Sequence, residues 1–209
     1  MKSIKRIVPQ QVGWIEVELD STEIDFLWKS IENRGRDEKP NLAGNIDSSY
    51  QIFDKDNWFF KNTLESLCNS YAESFYDVGD DIPTTNRHPY FLQTMWVNYQ
   101  KQTEFNPTHI HKGVYSFVIW MKIPTEYNEQ KENPIAKNTN LDVISNFSFN
   151  YRDTIGDLRY YNYEMSKKME GIMLFFPSKL AHSVYPFYNC SENRISISGN
   201  ICIDTNIIM

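Results

Sequence analysis

The spacing of apolar residues changes near the middle of the chain, from a helical period before residue 85 to alternation after Tyr90. Trp14-Ile-Glu-Val-Glu-Leu19 alternates apolar and acidic residues, which predicts a half-buried strand at the outside of a sheet. Asp20 and Glu23 have the spacing of a helix cap with its reciprocal partner. Ile24, Leu27, Trp28 and Ile31 then fall on one face of a short amphipathic helix that ends near Gly35. Residues 36–48, with Pro40 and Gly44, read as loop. From Asp56 a second helical period runs through Phe60, Leu64, Leu67, Tyr71 and Phe75 to Gly79, predicting the longest helix. Asp80 to Pro89 is a turn-rich connector.

Beyond it, strands are predicted at 91–100, 114–123, 143–151, 171–176, 181–188 and 194–203. Strands at such regular spacing indicate a mainly β (α+β) sandwich or barrel. The polar stretch 124–140 is expected to be an exposed loop. Residues 152–168, with Tyr160, Tyr161 and Tyr163 among charges, have no clear period and are a candidate lid. We expect one domain over 1–209, with 1–89 as a strand-and-helix elaboration and 90–209 as the core.

Composition narrows the class. An apolar share of 41%, with 13 Phe and 13 Tyr, excludes a disordered chain. A net charge of -6 without a basic block argues against a nucleic-acid partner. Cys68, Cys190 and Cys202 lack metal-ligand spacing and are odd in number, which fits a reducing compartment. No run approaches the roughly 18 apolar residues of a membrane span, and Met1 to Val8 has basic residues but no apolar signal region. The expectation is therefore a soluble cytoplasmic protein with no membrane partner.

The chemistry-bearing residues cluster in the second half. His109 and His111 form an H-x-H pair, and on a strand residues i and i+2 leave the same face, aiming two imidazoles at one ion. His182 follows the apolar run Ile172-Met-Leu-Phe-Phe176 and is the candidate third ligand. Three such corners leave a divalent metal open positions for substrates. His88, in a turn before Pro89, is read as an ordinary surface histidine. Arg194, Ser196 and Ser198 share one face of an alternating strand. An arginine with a neighbouring hydroxyl suits a carboxylate ligand.

Together, Trp96-Val-Asn98, Asn106-Pro-Thr-His-Ile-His111, Ser116 to Pro124, Leu174 to His182 and Arg194-Ile-Ser196 resemble the iron(II)- and 2-oxoglutarate-dependent oxygenase superfamily, in its prolyl-hydroxylase-like branch. The resemblance covers residues 90–203 and implies a double-stranded β-helix (jelly roll, cupin-like) with flanking N-terminal helices. It implies Fe(II) on His109, His111 and His182, and 2-oxoglutarate held through its distal carboxylate by Arg194 and Ser196, with Asn98 as a further contact. O2 and 2-oxoglutarate would be the small-molecule partners, and a homodimer is allowed. The implied reaction hydroxylates an unactivated C–H bond of a peptide, protein or amino-acid-like substrate, releasing succinate and CO2. The superfamily pattern carries Asp or Glu where this chain has His111. That departure keeps two alternatives in view, a three-histidine cupin-type metal enzyme without 2-oxoglutarate and a non-enzymatic jelly-roll binding protein.

Overall fold

The structure is a computed structural model that describes residues 3–7, 12–137, 139–140 and 143–209. Part of the N-terminal segment read above and part of the polar stretch 124–140 lie outside the described residues.

Two antiparallel sheets face each other. One has six strands in the order β1 (Ile15–Glu18), β8 (Ile172–Pro177), β5 (Tyr115–Lys122), β10 (Arg194–Ile203), β3 (Tyr90–Gln100) and β2 (Ser48–Ile52). The other has four, in the order β4 (Asn106–His109), β9 (His182–Val184), β6 (Asn146–Arg152) and β7 (Leu158–Glu164). From β3 onward the chain passes repeatedly between the two sheets, the winding of a double-stranded β-helix.

Alternation sets what each face of the large sheet meets. On β10, Ile195, Ile197 and Ile201 pack outward into a core shared with the helices. Arg194, Ser196, Ser198 and Asn200 point the other way, into the space between the sheets. β5 is covered on both faces, which explains its almost unbroken apolar run Val114 to Ile123. Phe117, Ile119 and Met121 join the helical core, while Val118 and Trp120 join Phe147, Phe149, Leu174 and Phe176 between the sheets.

Helix α1 (Ser21–Glu32) begins at the expected capping box: Glu23 N–H donates to Asp20 Oδ1 at 2.9 Å and Asp20 N–H to Glu23 Oε2 at 2.8 Å. Leu27 and Ile31 turn its apolar face onto the sheet. The second helix departs from the uniform pattern predicted from Asp56. Asp56 and Asn57 have φ of 60° and 55°, outside the helix, and the carboxylate of Asp54 accepts the amides of Phe59 and Phe60 at 2.8 and 2.9 Å. Asp54 therefore starts the helix. It continues through a π turn at Phe60–Leu64 into α2 (Glu65–Ser74), which seats Phe59, Leu64 and Tyr71 in the core.

Four other expectations are corrected. Within 124–140, α3 (Tyr127–Lys131) buries Tyr127 and Gln130, so that stretch is not wholly exposed loop. Residues 152–168 are no lid over most of their length, because β7 pairs along all of β6 and forms a hairpin at the sheet edge. The strand expected at 181–188 shortens to β9, and β2 forms just past the loop predicted over 36–48, where no strand was expected.

Gly199 lies opposite Phe117 and Met95, where an added Cβ would come within 2.5 Å of the Phe117 ring and 2.9 Å of the Thr94 carbonyl. Gly199→Val should therefore destabilise the fold by about 1–3 kcal/mol through overpacking, read as a lower chemical denaturation midpoint.

Candidate metal centre

The three histidines expected as ligands meet at the mouth of the small sheet. His109 closes β4 and is the direct register partner of His182 at the start of β9. His111 lies two residues beyond the strand, where its N–H donates to Ser178 O at 2.8 Å. The pair is thus not displayed by one strand face, as the sequence suggested; a turn tied to the end of β8 folds the second imidazole back.

The imidazole centroids are separated by 4.4 Å (His109 to His182), 4.9 Å (His111 to His182) and 5.0 Å (His109 to His111). One potential ligand atom from each lies within 4.8 Å of the others. Two ring atoms are already committed: His109 Nδ1 faces Pro107 O at 2.7 Å and His182 Nδ1 faces Leu180 O at 2.9 Å. A carbonyl accepts only from N–H, so these contacts put the proton on Nδ1 and leave each Nε2 lone pair for a ligand. His111 Nε2 approaches His182 Nε2 to 3.0 Å. Two nitrogens each ~2.1 Å from one divalent ion, at a right angle to each other, are separated by about that distance.

Burial favours the same state. It pushes the pKa of all three imidazoles down, His111 to about 4, with neighbouring histidine charge as a secondary cause for His111 and His182. Neutral imidazole is the ligating form. Phe176 packs against His182 at 4.9 Å and Trp96 against His111 at 5.7 Å, restricting water around the cluster. Donor type, tautomer and spacing fit Fe(II).

The histidines line a cavity of about 450 Å³ that runs between the sheets. Arg194 lines it as well and is 1% exposed. Its Nη2 donates to Ser145 Oγ at 2.7 Å, and its Nη1 makes long contacts to Gln100 Oε1 at 3.4 Å and Tyr185 O at 3.5 Å. The guanidinium carbon sits 4.9 Å from the centre of the Phe187 ring, and Nε has no hydrogen-bond partner among the described residues. Burial lowers its pKa to about 9, still leaving it charged at neutral pH. A buried cation held only by neutral groups is costly and is stabilised by an anion. The sequence marked Arg194 but not Ser145, Gln100 or Phe187, which carry no motif and reach it only through the fold.

Ser196 lies on the same face as Arg194, paired in register with Asn98, and both line the cavity. Asn98 Oδ1 accepts the Ser49 hydroxyl at 2.7 Å, while its Nδ2 makes no hydrogen bond among the described residues.

Comparison with known proteins identifies the fold and the family. Three solved structures, each with a TM-score of 0.51, share the fold. A viral collagen prolyl hydroxylase from Paramecium Bursaria Chlorella virus-1 in complex with 2OG is 14% identical over 90% of this chain and 94% of its own. A Pseudomonas putida prolyl-4-hydroxylase is 11% identical over 92% and 94%, and a Burkholderia pseudomallei oxidoreductase of the 2OG-Fe(II) oxygenase family is 10% identical over 91% and 85%. No curated protein matches the sequence. The family described as "Putative 2OG-Fe(II) oxygenase" matches residues 94–200, a span that contains Asn98, His109, His111, His182, Arg194 and Ser196. The chain therefore belongs to the family of iron(II)- and 2-oxoglutarate-dependent oxygenases.

Proposed function

We propose that the chain hydroxylates a C–H bond of a peptide, protein or amino-acid-like substrate, with release of succinate and CO2. The observation that carries the reading is one cavity holding both a cluster of neutral imidazoles and a buried arginine without an anionic partner. His109, His111 and His182 would hold Fe(II) through the nitrogens that Pro107 and Leu180 leave free or that the Ser178 contact orients. Arg194 and Ser196 would grip the distal carboxylate of 2-oxoglutarate, with the Asn98 amide as a further donor. The bound iron and 2-oxoglutarate supply the oxidising chemistry.

The protein's own contribution is orientation and exclusion of water. Phe147 stacks on His182 at 5.5 Å, and together with Phe176, Trp96 and Trp120 it gives the reacting end apolar walls. Such walls strengthen charge interactions inside and keep reactive species from bulk water. No side chain is required as a general base. Two of the structures sharing the fold are prolyl hydroxylases, which supports a peptide-like substrate.

Anaerobic titration with Fe(II) and then 2-oxoglutarate, followed by succinate measurement on admitting O2, tests the assignment. His182→Ala should abolish metal binding. Arg194→Ala should weaken 2-oxoglutarate at least ten-fold, on the order of 1.4 kcal/mol, with iron binding intact. Loss of iron in Arg194→Ala would instead make the arginine a folding residue.

His111→Asp probes the unusual third corner. It should keep the metal, since carboxylate is an acceptable ligand, yet bind anionic 2-oxoglutarate more weakly because the site loses a unit of positive charge. A calorimetric titration measures both, and an unchanged 2-oxoglutarate affinity would place His111 outside the metal's ligand set.

A further inference from the structure

Arg194 opens β10 in the large sheet, but the one short hydrogen bond to its guanidinium among the described residues comes from the side of the small sheet. Nη2 lies 2.7 Å from the hydroxyl of Ser145, the residue before β6, whereas Nη1 lies 3.4 and 3.5 Å from its acceptors on Gln100 and Tyr185. Gln100 is the register partner of Arg194 on the adjacent strand β3 and so holds the guanidinium only from its own sheet. Ser145 is the tether between the sheets.

Its backbone is fixed on both sides. The Ser145 N–H donates to Pro186 O at 2.8 Å and its carbonyl accepts the Met165 N–H at 3.0 Å, fastening the turn to the segment after β9 and to the end of β7. The residue is fully buried and has a φ of 46°, in the left-handed region, where a Cβ is disfavoured and glycine is at home. A serine there carries a conformational cost that glycine would avoid, and such a cost persists where the surroundings over-determine the residue. The one group that glycine lacks, the hydroxyl, is the group that meets Arg194. A guanidinium is a rigid planar fork on a flexible stem, and a two-point grip on a carboxylate needs that plane held in one orientation.

We propose that Ser145 is a positioning residue for cosubstrate binding: its hydroxyl, delivered by a left-handed turn of the small sheet, holds the Arg194 guanidinium in the orientation that receives the distal carboxylate of 2-oxoglutarate. Ser145 does not itself line the cavity, so it acts through Arg194. The role rests on the reading of Arg194 as the carboxylate anchor.

Two keto acids separate positioning from a merely structural role: 2-oxoglutarate and 2-oxopentanoate, which has the same head and chain length without the distal carboxylate. Each is titrated by calorimetry into the full-length chain loaded anaerobically with Fe(II). The wild type should prefer 2-oxoglutarate by at least about ten-fold. Ser145→Gly should cut that preference about five-fold or more through loss of 2-oxoglutarate affinity alone, with Fe(II) and 2-oxopentanoate binding unchanged. Ser145→Ala should cut it equally but unfold at a lower denaturant concentration than Ser145→Gly, because alanine keeps the left-handed strain. In the metal-free chain, the Arg194 Nη protons followed by NMR should rotate faster in Ser145→Gly than in the wild type. A preference that survives in Ser145→Gly, an equal loss for both keto acids, or unchanged Nη rotation overturns the proposal. A wild type that binds the two keto acids equally removes the carboxylate-anchor reading of Arg194 and this role with it, so the two failures are told apart. If Ser145→Ala does not fold, Ser145→Gly decides.

Discussion

The period-two alternation of β10 is the constraint on which the rest depends. The strand pairs with β3 on one side and β5 on the other, so neither edge is free and its register is fixed along the length of the sheet. A slip by one residue would carry Ile195, Ile197 and Ile201 into the cavity and Arg194, Ser196 and Asn200 into the helical core. The same isoleucines that anchor α1 and α2 therefore hold the guanidinium at the bottom of the site. A structural link extends from there to the metal cluster: Ser116 Oγ donates to Asn200 Oδ1 at 2.8 Å and contacts Ser178 Oγ at 2.8 Å, and the Ser178 carbonyl in turn accepts the His111 amide. Positioning of the least regular of the three histidines thus returns to the most regular strand.

Legibility in the sequence followed how local the cause was. The capping box at Asp20 and Glu23, the strands β3, β5 and β10, and the polar face of Arg194 and Ser196 are all set by near neighbours and alternation, and each formed at or within a residue or two of its predicted bounds. The helix start moved because Asp54, five residues before the first buried residue of the helix, Phe59, captures two amides, whereas Asp56 lies in the left-handed region. β7 escaped notice because its exposed residues give no apolar period; its existence depends on pairing with β6, and only Tyr163 is buried. Sequence spacing also placed His111 on a strand that in fact ends at His109. The three candidate histidines needed only to converge, and they do, while the partners of Arg194, drawn from β3 and the turns at Ser145 and Tyr185, needed the tertiary fold.

In the proposed site, charge accounts for a third imidazole at the corner where the superfamily pattern has a carboxylate. Three neutral rings would leave the positive charge of a bound divalent ion uncompensated, and Arg194 adds a buried positive charge in the same cavity. At an effective dielectric constant near 20 such a charge still acts over several ångströms inside the protein. With no carboxylate among the three candidate ligands, a dianionic cosubstrate would meet positive and neutral groups at both the metal end and the arginine end. A neutral His111 in the proposed site therefore favours an anion in the cavity, the same partner that offsets the burial of the Arg194 guanidinium.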